Sequence, residues 1–230
     1  MAYDDSIIGK RPGVLVVHEW WGNNEYSRRR ARMLAELGYT ALAIDMYGNG
    51  KVAQEPKEAG ELAQEIKGDP QKTKERFLSA LEVLKNFHLT DPGQIAAIGY
   101  CFGGGVVLNM AMAGVDINGV VSFHGSLPIP AQEIKPGRIK ARILVCHGGA
   151  DQFAPPEQVA AFKHALDKAG ADYQFIVYEG ATHAFTNPDS DALAKKFNMP
   201  IAYNAAADQK SWEDMKRFLK NIFTGQGKAL

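Results

Sequence analysis

The segment Gly99-Tyr100-Cys101-Phe102-Gly103-Gly104-Gly105 constrains this chain more than any other. It follows an apolar run, Ile95-Ala96-Ala97-Ile98, and precedes a helical pattern from Val106 to Ala113. Strand, Gly-x-nucleophile-x-Gly, helix is the sequence form of a sharp turn that lifts a reactive side chain clear of a sheet. The turn leaves no room for a Cβ beside the nucleophile, so glycine flanks it. The helix that begins there aims free N–H groups and the positive end of its dipole at the sulfur of Cys101. A positive field of this kind favours the nucleophilic thiolate form of a cysteine.

The rest of the chain supplies the sheet such a turn requires. Apolar runs at 13–18, 40–45, 94–99, 119–123, 142–147 and 174–178 read as strands, and their lack of polar interruption is what buried parallel strands look like. Amphipathic patterns at 24–37, 70–87, 101–113, 155–169 and 204–223 read as helices between them, with Gly38 and Gly170 as C-terminal stops. Regular alternation predicts an α/β fold with a mostly parallel central sheet and helices on both faces. The 230 residues fit one domain spanning 1–230. One stretch breaks the rhythm: 48–68 is polar and charged, and reads as a short helical cover inserted over the sheet edge, or as a solvated loop. The tail, 224–230, reads as frayed.

Composition narrows the function classes. Twenty-six basic and twenty-six acidic residues cancel, which argues against nucleic acid or an anionic membrane as the main partner. No apolar run approaches the roughly 18 residues of a membrane span, and the acidic start carries no signal core, so a cytoplasmic location is expected. Cys101 and Cys146 lie in separate elements, so no disulfide is expected, and Cys146 reads as a small core residue inside a strand. Six scattered histidines offer no zinc site, and no cofactor is called for.

A nucleophile needs a base, and the base needs an orienting acid. After this kind of turn the chain order is nucleophile, acid, histidine, the order of the α/β-hydrolase fold. Downstream of Cys101, the strand 142–147 runs into Gly148-Gly149-Ala150-Asp151, and the strand 174–178 into Glu179-Gly180-Ala181-Thr182-His183. Both residues therefore fall just past the carboxyl ends of strands, where open α/β sheets collect their catalytic groups. His183 reads as the base and Asp151 as the group that fixes its tautomer. The backbone N–H groups of Phe102 and Trp20 are the candidate oxyanion donors, one after the nucleophile and one on the loop after the first core strand. Trp21, Tyr47, His124, Phe185 and Asn187 are candidate pocket residues. For His124 a plain turn histidine is the equal alternative.

His18-Glu19-Trp20-Trp21-Gly22, the Cys101 turn, Gly149-Ala150-Asp151 and Gly180-Ala181-Thr182-His183-Ala184-Phe185 together resemble the dienelactone hydrolase family, over nearly the whole chain. The resemblance implies a Cys101–His183–Asp151 triad, a thioacyl-enzyme, a small ester or lactone as substrate, and a monomer. It also implies that Glu19 contacts the resting thiol and takes its proton when substrate binds. A carboxylate beside a thiol disfavours thiolate and so protects the sulfur from oxidation. The plainer alternative is a buried glutamate that ties a loop to backbone N–H groups.

Two departures qualify the resemblance. The family grips an anionic substrate with arginine, one of them four residues beyond the catalytic histidine, where this chain has Asn187. An amide cannot replace a guanidinium fork at equal strength, so weak activity on an anionic dienelactone is expected, and small neutral esters or lactones suit the pocket as well. Only ten residues precede Arg11, where the family carries a β-hairpin, so the chain is expected to begin within that hairpin. A different class of function stays open: a non-catalytic or redox-sensing protein on a hydrolase scaffold, with Cys101 as sensor. An acyltransferase or thioesterase would need a pocket for a long acceptor, which no residue announces.

Overall fold

The computed structural model describes residues 1–225. Six strands form one sheet: β1 (Arg11–Val17), β2 (Thr40–Ile44), β3 (Thr90–Tyr100), β4 (Gly119–Phe123), β5 (Arg142–Gly148) and β6 (Tyr173–Tyr178). Their order is β2-β1-β3-β4-β5-β6 and every pairing is parallel. The central parallel sheet with helices around it is an α/β-hydrolase fold. The chain leaves β1 for β2 on one side and then crosses to β3 on the other. That reversal opens a crevice at the carboxyl ends of β1 and β3, the place where open α/β sheets bind ligands.

Seven helices pack on the sheet: α1 (Glu25–Glu36), α2 (Pro56–Lys67), α3 (Pro70–Lys85), α4 (Phe102–Met112), α5 (Pro156–Lys168), α6 (Ser190–Phe197) and α7 (Ala205–Thr224). Successive residues of a strand point to opposite faces. In β1, Leu15 and Val17 join a core formed with Phe77, Leu81, Val107 and Phe162 of α3, α4 and α5. Val14 and Val16 join the other core, with Leu34, Met215 and Phe218 of α1 and α7. Both faces are covered, which is why the strands carry apolar runs rather than an alternating pattern. No helix among the described residues is long and apolar enough to cross a membrane.

The structure departs from the sequence reading at three places and, at the cover, decides between its two alternatives. β3 begins at Thr90, not 94, because Thr90 and Asp91 pair with Arg11 and Pro12 before a register shift at Gly13. The cover 48–68 holds a three-turn helix, α2, started by Pro56 and anchored by the buried Ala59, Ala63 and Ile66. The short helix α6, with a single buried residue, had no periodic signal. Thr224 is not frayed but is the last residue of α7, which Gly225 closes at φ 67°. The remainder of the expected tail, 226–230, lies outside the described residues. At the other end, Ala2 exchanges backbone hydrogen bonds with Ala41, and the Arg11 guanidinium donates to the carbonyls of Asp4 and Ile7.

Candidate active site

Cys101 sits between the end of β3 and the start of α4, with φ 52° and ψ −113°. A non-glycine residue there stores on the order of 1–3 kcal/mol of strain. Two glycines make the turn possible. A Cβ on Gly99 would overlap the Gly103 carbonyl, and a Cβ on Gly103 would overlap the Val17 and His18 carbonyls. Because Gly103 has no side chain, α4 presses against the end of β1, and the Gly103 N–H donates to the His18 carbonyl at 3.1 Å. The Cys101 side chain is left half-buried at the floor of a cavity of about 470 Å³.

Asp151 and His183 arrive from the loops after β5 and β6. His183 Nδ1 and Asp151 Oδ2 are 2.9 Å apart, and Asp151 Oδ1 accepts the Phe153 N–H at 2.8 Å. Both partners are buried. Burial disfavours charge on His183, but the Cys101 sulfur and the hydrogen bond to Asp151 outweigh it and push the imidazole up to about 10. The three predicted triad residues are therefore brought together across three strand ends. Phe102 is the first residue of α4, and neither its N–H nor that of Trp20 donates to another protein group among the described residues. Both residues line the cavity beside Cys101. The Trp20 carbonyl accepts the Tyr47 hydroxyl at 2.8 Å, which pins this loop. His18 pins it further: its Nδ1–H donates to the Glu19 carbonyl, and its Nε2 accepts the Met46 N–H at 3.1 Å. Burial pushes His18 down to about 4, so the imidazole is neutral in both roles.

Glu19 also lines the cavity, yet its hydrogen bond is not to the thiol. Glu19 Oε2 accepts from Asn187 Nδ2 at 2.7 Å. The resemblance put Glu19 on Cys101; the amide that stands in place of arginine supplies a donor, and the carboxyl turns to it. Burial pushes Glu19 up to about 7, while the Asn187 hydrogen bond and the nearby His183 and Arg30 pull the other way.

Of the five candidate pocket residues, Trp21 and Asn187 form part of the wall. Tyr47, His124 and Phe185 do not, and each has a physical reason. Tyr47 is buried behind the Trp20 loop with its hydroxyl already used. Ala184, at φ 58°, turns the chain so that Phe185 enters the core against Tyr178. His124 is fully buried, with Nε2 2.7 Å from Thr186 Oγ1 and its ring edge-on to His183 at 5.3 Å. It stands behind His183 and does not line the cavity. Thr186 in turn meets the Tyr26 hydroxyl at 2.6 Å, and its carbonyl accepts from Arg30, which is paired with Asp208. That network joins residues some 160 positions apart, so no local pattern announced it. Also unannounced was Phe153, largely exposed, with its ring edge-on to His183 at 4.9 Å. Its place two residues after Asp151 is the only signal that pointed to it.

Comparison with known proteins gives the family. The family model "Dienelactone hydrolase family" matches residues 2–223. A protein of Aquifex aeolicus named "Putative carboxymethylenebutenolidase" is 32% identical, over 91% of this chain and 87% of that one. Protein usf of Aquifex pyrophilus is 30% identical, over 93% and 89%. The crystal structure of a dienelactone hydrolase-like promiscuous phosphotriesterase, P91 from metagenomic libraries, superposes with a TM-score of 0.90. It is 34% identical, over 96% of this chain and 90% of that one. The chain belongs to the dienelactone hydrolase family and is an ester or lactone hydrolase.

Proposed function

We propose that this protein hydrolyses small neutral esters or lactones through a thioacyl-enzyme on Cys101. The observation that carries the reading is the convergence of Cys101, the Asp151-bound His183 and two unpaired backbone N–H groups on one cavity. Transfer of the Cys101 proton to His183 Nε2 gives a thiolate–imidazolium pair, with Nδ1–H facing Asp151, and it is this pairing that holds the His183 proton up to about 10. The thiolate attacks the carbonyl carbon, and the Phe102 and Trp20 N–H groups hold the developing oxyanion. The imidazolium then protonates the leaving alkoxide, and the C–O bond breaks.

The same histidine must next act as a base toward water. Among the causes that raise His183, the Cys101 sulfur is the largest. Acylation removes the negative charge from that sulfur, so the imidazole's proton affinity falls when a base is needed. Asn187 offers no charge to an anionic substrate, which supports neutral ones. The kinship with P91 supports trying a neutral phosphotriester as a second electrophile at the same sulfur.

The test is p-nitrophenyl acetate hydrolysis by wild type, Cys101→Ala and Cys101→Ser. Turnover by wild type is expected to fall by about a thousandfold or more in the alanine variant, and to be much reduced in the serine variant. Equal background rates for wild type and Cys101→Ala overturn the assignment. Stoichiometric iodoacetamide labelling of Cys101 with no turnover of any ester favours a sensor.

A further inference from the structure

A second cavity, of about 740 Å³, lies beside the catalytic one and shares Lys67, Phe102 and Ser126 with it as common walls. No step of the proposed reaction uses it. Its lining is mainly apolar, with Ile66 of α2, Val106, Met110 and Met112 of α4, and Ile134 of the proline-rich loop that follows β4. All five side chains are buried in the fold. We infer that this cavity receives an extended apolar arm of the ester substrate, either its acyl chain or its alcohol chain, beyond a neck between Phe102 and Ser126. The inference rests on the hydrolase reading and extends it to substrate class.

Four features carry it. Phe102 is at once a shared wall and the residue whose N–H is placed to hold the oxyanion, so a carbonyl in the catalytic cavity stands next to the neck. Gly105 lets α4 approach the loop that carries Ser126, since a Cβ there would stand 3.2–3.3 Å from Ser126 atoms, and this close contact fixes the Ser126 wall that both cavities share. Lys67 spans both cavities at the end of α2. A lysine presents its methylene stem to an apolar chain while its ammonium reaches water. Finally, Met110 and Met112 are unbranched and polarisable, side chains that adapt to chains of varied length. Each cavity has the size of a small-molecule site, whereas an acetyl ester would occupy the first alone.

The expected readout is chain-length preference. Transfer of one methylene from water to an apolar site is worth about fourfold in affinity, so kcat/KM for methyl octanoate or for octyl acetate is expected to exceed that for methyl acetate at least about tenfold. Asn109 and Gln71 line the second cavity from opposite walls at exposed positions. Asn109→Trp and Gln71→Trp fill it from the solvent side without touching the core, and each is expected to lower the octyl-to-acetate ratio at least about tenfold. Val83→Trp, at an exposed site on α3 outside both cavities, is expected to keep the wild-type ratio. No octyl preference in wild type, or a preference that survives both tryptophan variants, overturns the inference. Calorimetric binding of methyl octanoate to Cys101→Ala separates this outcome from failure of the hydrolase reading. Binding that Asn109→Trp abolishes upholds the second cavity even if no ester is turned over, and absence of binding overturns it even if acetate is hydrolysed.

Discussion

The nucleophile turn and the α2 cover face each other across one cavity and are built on opposite principles. At the turn, Cys101 has a positive φ, Gly99 and Gly103 are packed against carbonyls, and every neighbour is backbone. In the cover, Gly60 lies mid-helix in α2 with nothing within 4 Å of where its Cβ would be, and three side chains hold the helix down. The first region stores strain that the surrounding sheet enforces. The second is ordinary amphipathic packing with slack. Catalytic geometry tolerates about half an ångström of error, whereas a wall that shapes a substrate tolerates more.

Glycine-to-alanine substitutions test the contrast most directly. Gly103→Ala drives a Cβ into the Val17 and His18 carbonyls, and only backbone movement relieves it. Loss of roughly 3–5 kcal/mol is expected, read as a lowered denaturation midpoint, together with an activity loss of about a hundredfold as the proposed oxyanion donors move. Tolerance of alanine at 103 would break the claim that the turn is packed to its limit.

A smaller effect is expected from Glu19→Gln. The folded protein holds the Glu19 proton up to about pH 7, while the unfolded chain releases it near 4.5. Between those values the folded state binds more protons, so this group's contribution to stability falls as pH rises. Glutamine stays neutral and removes that loss. The variant is expected to gain on wild type from pH 4.5 to pH 7 and above, by roughly 3 kcal/mol, measured by urea unfolding across pH. His18 tilts wild type and variant alike, because its lowered value makes both less stable below about pH 6.5. A pH-independent difference would show that Glu19 is not buried as a neutral acid.

Gly60→Ala is the smallest and opposite in sign. A gain of about 0.5–1 kcal/mol is expected from the lost backbone freedom of the unfolded chain, with p-nitrophenyl acetate turnover unchanged. Destabilisation there would place the cover under the same steric control as the turn and erase the distinction.

The sequence alone determined the turn, the sheet, and the placing of Asp151 and His183 at strand ends after Cys101. These are short-range or periodic signals: glycine where no Cβ fits, apolar runs that two covered faces demand, and strand ends that locate Asp151 and His183. Tertiary structure decided what stands behind and around them. His124, Tyr47 and Phe185 lie at the expected strand ends, yet each points away from the cavity because a distant partner, Thr186, Trp20 or Tyr178, claims its side chain. Glu19 turns to Asn187, 168 residues away. The second cavity exists only because α2, α3, α4 and the loop after β4 meet, and the distances between such elements are set by packing, which a linear pattern does not encode.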